Sequence, residues 1–255
     1  MLLPDRMPPF LKFLAFDTST DQMSVAVTDG ARTWQHSGPG GAQASTTLIP
    51  AVLALLAEAG LALGELDAIA FGRGPGSFTG LRTACAVAQG LALGSRDGAG
   101  MPVLPIDTLM AVAEEARFRQ AGTKPLTITA LLDARMDEMY VQSFEFSNGQ
   151  CHALGECELL RPEDFVPDAA AGLLAGNVFA VYAGRLPAAM PAQAEALPTA
   201  TALLRLAPML AAAGHCVSAE LALPLYVRDK VALTTEEREQ AKAAKLLAEV
   251  PPLSP

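Results

Sequence analysis

The stretch of this chain richest in potential chemistry is Phe71-Gly72-Arg73-Gly74-Pro75-Gly76-Ser77-Phe78-Thr79-Gly80-Leu81-Arg82. It follows a short apolar run, Ala68-Ile69-Ala70-Phe71, and leads into an alanine-rich run from Thr83 to Leu93. A glycine-rich turn between a strand and a helix offers free backbone N–H groups at a helix N-terminus, an arrangement that binds phosphate. The known phosphate motifs are not completed. Gly80 is followed by Leu81 where a P-loop has lysine and a hydroxyl residue, and the third glycine of the dinucleotide fingerprint is replaced by Ser77 or Thr79, depending on the register chosen. The competing reading is that Gly74, Gly76 and Gly80 allow a tight turn and close packing of helix on sheet.

Other candidates for chemistry are sparse. The three histidines, His36, His152 and His215, are far apart, and no His-x-x-x-His or His-Glu-x-x-His spacing exists, so no metal site is expected. The cysteines Cys85, Cys151, Cys157 and Cys216 form no Cys-x-x-Cys pair, and Cys85 in its alanine-rich setting reads as a small buried hydrophobe. A formal net charge of −9 is the wrong sign for a chain that grips nucleic acid alone, so any RNA it serves is expected to be held mainly by a partner.

With 255 residues, 51% of them hydrophobic and 18% charged, the chain is long enough for one globular domain or two small ones. No apolar run reaches the roughly 18 residues of a membrane span. Met1 to Phe10, with three prolines and no apolar centre, is not a secretory signal, so the expected compartment is the cytoplasm.

The elements that position the glycine stretch are legible from pattern. Lys12 to Thr18 reads as a first strand with Asp17 at its end. Met23 to Thr28, an Asp29-Gly30 turn and Arg32 to His36 make a hairpin. A helix follows over Ser45 to Ala59, with Leu48, Ile49, Ala51, Val52, Leu53, Leu55 and Leu56 covering an arc of about 200° at 100° per residue, about twice what one sheet face requires. The helix after the glycine stretch, Thr79 to Gly94, carries Gly80, Ala84, Ala88 and Ala92 four apart, a line that lets another backbone approach. Two such helices predict an apolar patch covered by a partner, with Leu48, Val52, Leu56, Gly80, Ala84, Ala88 and Ala92 as its members. Strand Pro102 to Ile106 and helix Leu109 to Arg119 complete a β-β-β-α-β-α-β-α order.

A second set of strands spans Leu126 to Leu132, Glu138 to Phe146, Cys151 to Leu159 and Leu173 to Ala175, with a helix start at Arg161 and a helix over Ala200 to Ala213. Two meanders, each followed by helices, predict a duplicated α/β architecture. The expected division is 12–107 for a first lobe carrying the partner-binding helices, 108–232 for a second lobe, and 233–255 for a short charged helix, capped by Thr234 and Glu237, and a proline-rich tail.

Five separated stretches resemble the TsaB (YeaZ) family, in the right order: Leu14-Ala15-Phe16-Asp17-Thr18-Ser19-Thr20, Leu48-Ile49-Pro50, the glycine stretch, Leu132-Asp133-Ala134-Arg135-Met136-Asp137-Glu138-Met139-Tyr140, and Tyr226-Val227-Arg228-Asp229-Lys230-Val231-Ala232. Where family members often show a His-Ser pair before Leu48, this chain has Ala44-Ser45. The resemblance implies two ribonuclease-H-like lobes of the actin, Hsp70 and sugar-kinase ATPase superfamily. In active members an aspartate after the first strand and glycine loops in both lobes hold Mg–ATP. Asp17 and Asp133 stand at the corresponding positions as vestigial candidates. Asp133 is followed by Ala134-Arg135 rather than glycines, and Gly176-Asn177 is all that remains of a second-lobe glycine pair, so the implied nucleotide cleft is degenerate and no cofactor is expected.

The resemblance further implies a non-catalytic subunit of the complex that transfers threonylcarbamoyl from an AMP ester, made by TsaC, to N6 of the tRNA adenosine beside the anticodon. Pairing with catalytic TsaD through first-lobe helices, recruitment of the ATPase TsaE, contact with tRNA only through the complex, and self-pairing in isolation are implied as well. The alternatives are an active small-molecule kinase using Asp17, Asp133 and Mg–ATP, and a metallopeptidase-like enzyme, which has no ligand cluster in its favour.

Overall fold

The computed structural model describes residues 11–95, 100–120, 126–168 and 170–228. The expected helix and tail over 233–255 lie outside these residues.

The first sheet has the order β3-β2-β1-β4-β5. Strands β1 (Phe13–Asp17), β2 (Gln22–Thr28) and β3 (Thr33–Pro39) form an antiparallel meander, and β4 (Ala68–Gly74) and β5 (Val103–Asp107) add in parallel. Helix α1 (Ala44–Ala59) crosses from β3 to β4, and α2 (Phe78–Leu93) from β4 to β5. Helix α3 (Thr108–Arg119) leads to a second sheet of β6 (Leu126–Arg135), β7 (Glu138–Ser147), β8 (Gln150–Leu160), β9 (Leu173–Gly176) and β10 (Gln193–Glu195), followed by α4 (Ala200–Ala212). Its order, β10-β9-β6-β7-β8, repeats that of the first sheet strand for strand, which is the duplication expected from the two meanders.

Alternation along the strands assigns each side chain to a layer. Leu14 and Phe16 of β1, with Ile69 and Phe71 of β4, pack beneath α1 and α2. Phe13, Ala15, Ala68 and Ala70 face the other way and join a core shared with α3, α4 and the second sheet. Strands buried on both faces read as continuous apolar runs, which is why Phe13-Leu14-Ala15-Phe16 shows no polar alternation. The outer face of the second sheet is covered by turns rather than helices, through Phe165, Val178, Tyr182 and Leu186.

The expected helix after Arg161 is one 3₁₀ turn, Pro162–Asp164, and the short edge strand β10 was not anticipated. The two sheets divide at the expected boundary of residue 107, and packing crosses it. Helix α4 lies in the second half of the chain, yet it packs on β1, β2 and β4, and the Ala200 amide donates to Ser24 Oγ at 2.9 Å. Val217 then pairs with Val103 of β5, and Ala222 lies against α2. The first sheet has two apolar faces; α1 and α2 cover one, and α3 and α4 cover the other.

Candidate functional site

The glycine stretch does form the turn from β4 into α2, with Ser77 as the N-cap residue of α2. The chain itself fills the space the glycines leave. A Cβ at Gly72 would lie 1.8 Å from Asp17 Oδ2, one at Gly76 2.6 Å from the Ser19 carbonyl oxygen, and one at Gly80 1.8 Å from the Thr18 carbonyl oxygen. Gly74 has φ +121°, and its Cβ would lie 2.5 Å from the Leu225 carbonyl oxygen. The Ser77 amide, which a phosphate would need, donates to the Ser19 carbonyl at 2.7 Å. Thr18 Oγ1 donates to the Gly80 carbonyl at 2.7 Å. Of the two readings of this loop, close packing is the one its geometry realises: residues 17–19 and 225 stand where an anion would sit.

Asp17 ends β1 beneath this loop and is fully buried. Its Oδ1 accepts from the Ser19 amide at 2.8 Å and from Ser19 Oγ at 2.6 Å, and Thr108 Oγ1 donates to Oδ2 at 3.4 Å. Burial pushes its pKa up to about 6, against the opposing pull of those hydrogen bonds. Asp133 ends the regular part of β6, and its side chain is only 8% exposed. Its Oδ1 accepts from Tyr182 Oη at 2.7 Å and from the Arg135 amide at 2.9 Å, while the Arg135 guanidinium stands 3.3 Å from Oδ2 and also pairs with Asp21 of the first lobe. Burial and the hydrogen bond given to Asp133 raise the Tyr182 phenol. Gly176 is close-packed too, since a Cβ there would lie 1.7 Å from the Leu131 carbonyl oxygen, and Asn177 Oδ1 accepts from the Asp133 amide.

A cleft of about 490 Å³ between the lobes is lined by Thr20, Asp21, Gln22, Arg119, Asn177 and Glu195. Neither Asp17 nor Asp133 lines it. Asp17 is held instead by Ser19 and Thr108, and Asp133 by Tyr182 and Arg135. Among the described residues no group of His, Cys, Asp and Glu is placed to hold a metal ion. Burial pushes the Cys151 and Cys157 thiols up to about 12, which leaves them protonated and unreactive.

The expected partner surface is corrected by burial. Leu48, Val52, Leu56, Ala84, Ala88 and Ala92 sit in the first-lobe core with Phe16 and Phe71, and Gly80 is buried against Thr18. These side chains face their own sheet. The wide arc on α1 was two faces read as one: the sheet takes Leu48, Val52, Leu55 and Leu56, and the adjacent column is left outside, with Ile49 44% and Leu53 56% exposed. On α2 the buried line of small residues has a counterpart about 200° around the helix, at Ala86 and Gly90, which is exposed and ends near Leu93, 58% exposed. A Cβ at Gly90 would meet nothing within 4 Å, so internal packing does not require glycine there. The same four-residue spacing, started two residues later, would have found this face in the sequence.

Fold and site together define a two-lobed α/β protein of the ribonuclease-H-like class, in which the turn corresponding to a phosphate loop is packed shut. A family model described as "TsaD: tRNA N6-adenosine threonylcarbamoyltransferase" matches residues 39–236. The chain is 33% identical over 233 residues to the tRNA threonylcarbamoyladenosine biosynthesis protein TsaB of Haemophilus influenzae, covering 87% of this chain and 95% of that one. It is 32% identical to the Escherichia coli TsaB, over 87% and 96%. The solved structure of YeaZ from Pseudomonas aeruginosa superposes with a TM-score of 0.76 at 39% identity, covering 86% of this chain and all of that one. The chain belongs to the TsaB (YeaZ) family, within the TsaD-type group that the family model describes.

Proposed function

We propose that this chain serves tRNA threonylcarbamoyladenosine biosynthesis as a subunit without a reaction centre of its own. It pairs with a TsaD-type catalytic chain through the outer face of α1 and α2, and the ATPase TsaE joins that pair. TsaC supplies the AMP ester, and tRNA is reached through the complex. The observation that carries the reading is the pair of neighbouring helices whose outer columns are apolar or small: Ile49 and Leu53 on α1, Ala86, Gly90 and Leu93 on α2. A mid-helix glycine with open space beside it costs about 1 kcal/mol relative to alanine, and close approach of another backbone would offset that cost. The hydrogen-bonded Asp17 and Asp133 and the filled glycine loop support a non-catalytic role.

The test is co-expression with the TsaD of the same host. Leu53→Glu and Gly90→Arg should remain folded by circular dichroism and lose pairing at least about tenfold, since an unpaired charge buried at an interface costs several kcal/mol and about 1.4 kcal/mol is already tenfold. Normal pairing by both folded variants would remove the interface from this face. Self-association of the isolated chain should be weakened by the same changes. Calorimetry of the isolated chain with Mg–ATP is expected to show no micromolar binding; such binding would favour the kinase reading instead.

A further inference from the structure

The last described segment, 222–228, has no regular secondary structure, yet it is anchored at Ala222, Leu225, Tyr226 and Arg228. At its start the Ala222 carbonyl accepts from Cys85 Sγ at 2.8 Å and Gln89 Nε2 at 3.0 Å, both on α2. The Leu225 amide then donates to the Arg73 carbonyl at 2.7 Å, and its carbonyl occupies the space beside Gly74. The Tyr226 ring lies 5.3 Å from that of Phe78, and Arg82 stacks 4.0 Å over Phe78 and donates to Tyr226 Oη at 3.3 Å. All of these partners belong to the first lobe.

At its end the segment reaches the second lobe. The Arg228 side chain, 13% exposed, pairs with Glu138 at 2.7 Å and donates to the carbonyls of Ala134 and Arg135 at 3.1 and 3.3 Å. These groups belong to the β6–β7 turn, where Arg135, Met136 and Asp137 all have positive φ, of 62°, 56° and 61°. Three successive non-glycine residues in the left-handed region are held only where surrounding groups over-determine them. Arg228 supplies part of that restraint from outside the turn, and Arg185 supplies another part through Asp137 at 2.7 Å. All three oxygens lie around one guanidinium nitrogen, Nη2, while Nη1 stands 2.8 Å from Met136 Sδ in the same turn.

We propose that segment 222–228 is a clasp: it fixes the glycine loop of the first lobe to the β6–β7 turn of the second, so that protein groups rather than a bound ligand set the relation of the lobes at this side of the molecule. Gly74 is glycine because the clasp's backbone passes there, which ties a residue of the loop to one 151 positions later (225 − 74).

Hydrogen exchange on the full chain tests this, because a clasp transmits a local change to the opposite lobe and a simple surface contact does not. Arg228→Met, which keeps the stem but removes the fork, should speed exchange about tenfold at amides 134–138 and also at 73–78 of the other lobe, with α3 and α4 unchanged. Gly74→Ala, made in the first lobe, should in return speed exchange at 134–138. If Gly74→Ala does not fold, Tyr226→Ala asks the same question by removing the ring that rests on Phe78. Effects confined to the turn for Arg228→Met, or to the first lobe for the other two variants, would overturn the clasp.

Discussion

At the scale of single residues, the two acids placed by sequence are each engaged by hydrogen bonds within the protein. Asp17 is the clearer case. Its folded pKa is raised from 3.8 to about 6, so the native state binds its proton more tightly than the unfolded chain does. Its contribution therefore favours folding below about pH 4 and is lost as pH rises through about 6. A two-unit shift corresponds to a cost on the order of 3 kcal/mol at pH 8. Asp17→Asn should flatten the stability–pH curve between pH 4 and 8 in urea titrations and, on the proposed function, leave tRNA modification by the complex in place. An unchanged slope would mean that Asp17 is not the buried acid responsible. Gly72→Ala, which drives a Cβ into the Asp17 carboxylate, should destabilise by about 1–3 kcal/mol or more in the same titrations.

At the scale of elements, α1 and α2 each carry an inward and an outward column, and the two should respond oppositely to mutation. Ala88→Arg or Leu56→Glu places a charge in the first-lobe core and should abolish the cooperative unfolding transition. Gly90→Ala adds a methyl group to open space in the middle of a helix and should raise the stability of the isolated chain by about 0.5–1 kcal/mol. On the pairing reading, the same methyl group weakens binding to the TsaD-type chain. Thermal unfolding and pull-down on one sample separate the effects, and a variant that gains no stability would contradict the open setting of Gly90. Helix existence was legible because apolar residues recur at helical spacing over 16 residues in each case. Which column faced the sheet was not, because Leu48 and Leu53 are equally apolar and spacing alone does not orient a helix about its axis.

At the scale of the whole molecule, the two sheets are joined through α3 and α4, and one ionic cluster sits between those helices. Arg205 of α4 reaches Glu114 at 2.8 Å and Glu115 at 2.6 Å, and Thr199 and Arg119 also bond Glu115. Burial works against the Glu115 carboxylate, but the bonds from Arg205 and Thr199 outweigh it and hold its pKa below the ordinary value. Glu115 thus adds stability above the usual glutamate range and loses it as pH falls through its lowered pKa. Arg205→Met should destabilise by about 3–5 kcal/mol, because it strips the shared partner from two largely buried carboxylates. Chemical denaturation at pH 7 checks this; a loss under 1 kcal/mol would show that Arg117 and Arg119 suffice.

The sequence by itself determined the α/β class, the duplicated meanders, the four α-helices found among the described residues and the family. These rest on local periodicity, turn residues and stretches such as the one around Gly74, which are properties of neighbouring positions. Tertiary structure alone decided what the glycines accommodate, which column of each helix is free, and where α4 belongs. Those outcomes depend on residues far apart in the chain: Asp17 beside Gly72, Leu225 beside Gly74, Ser24 beneath Ala200. A glycine signals that something comes close to the backbone, but only the assembled chain shows that the visitor is the chain itself.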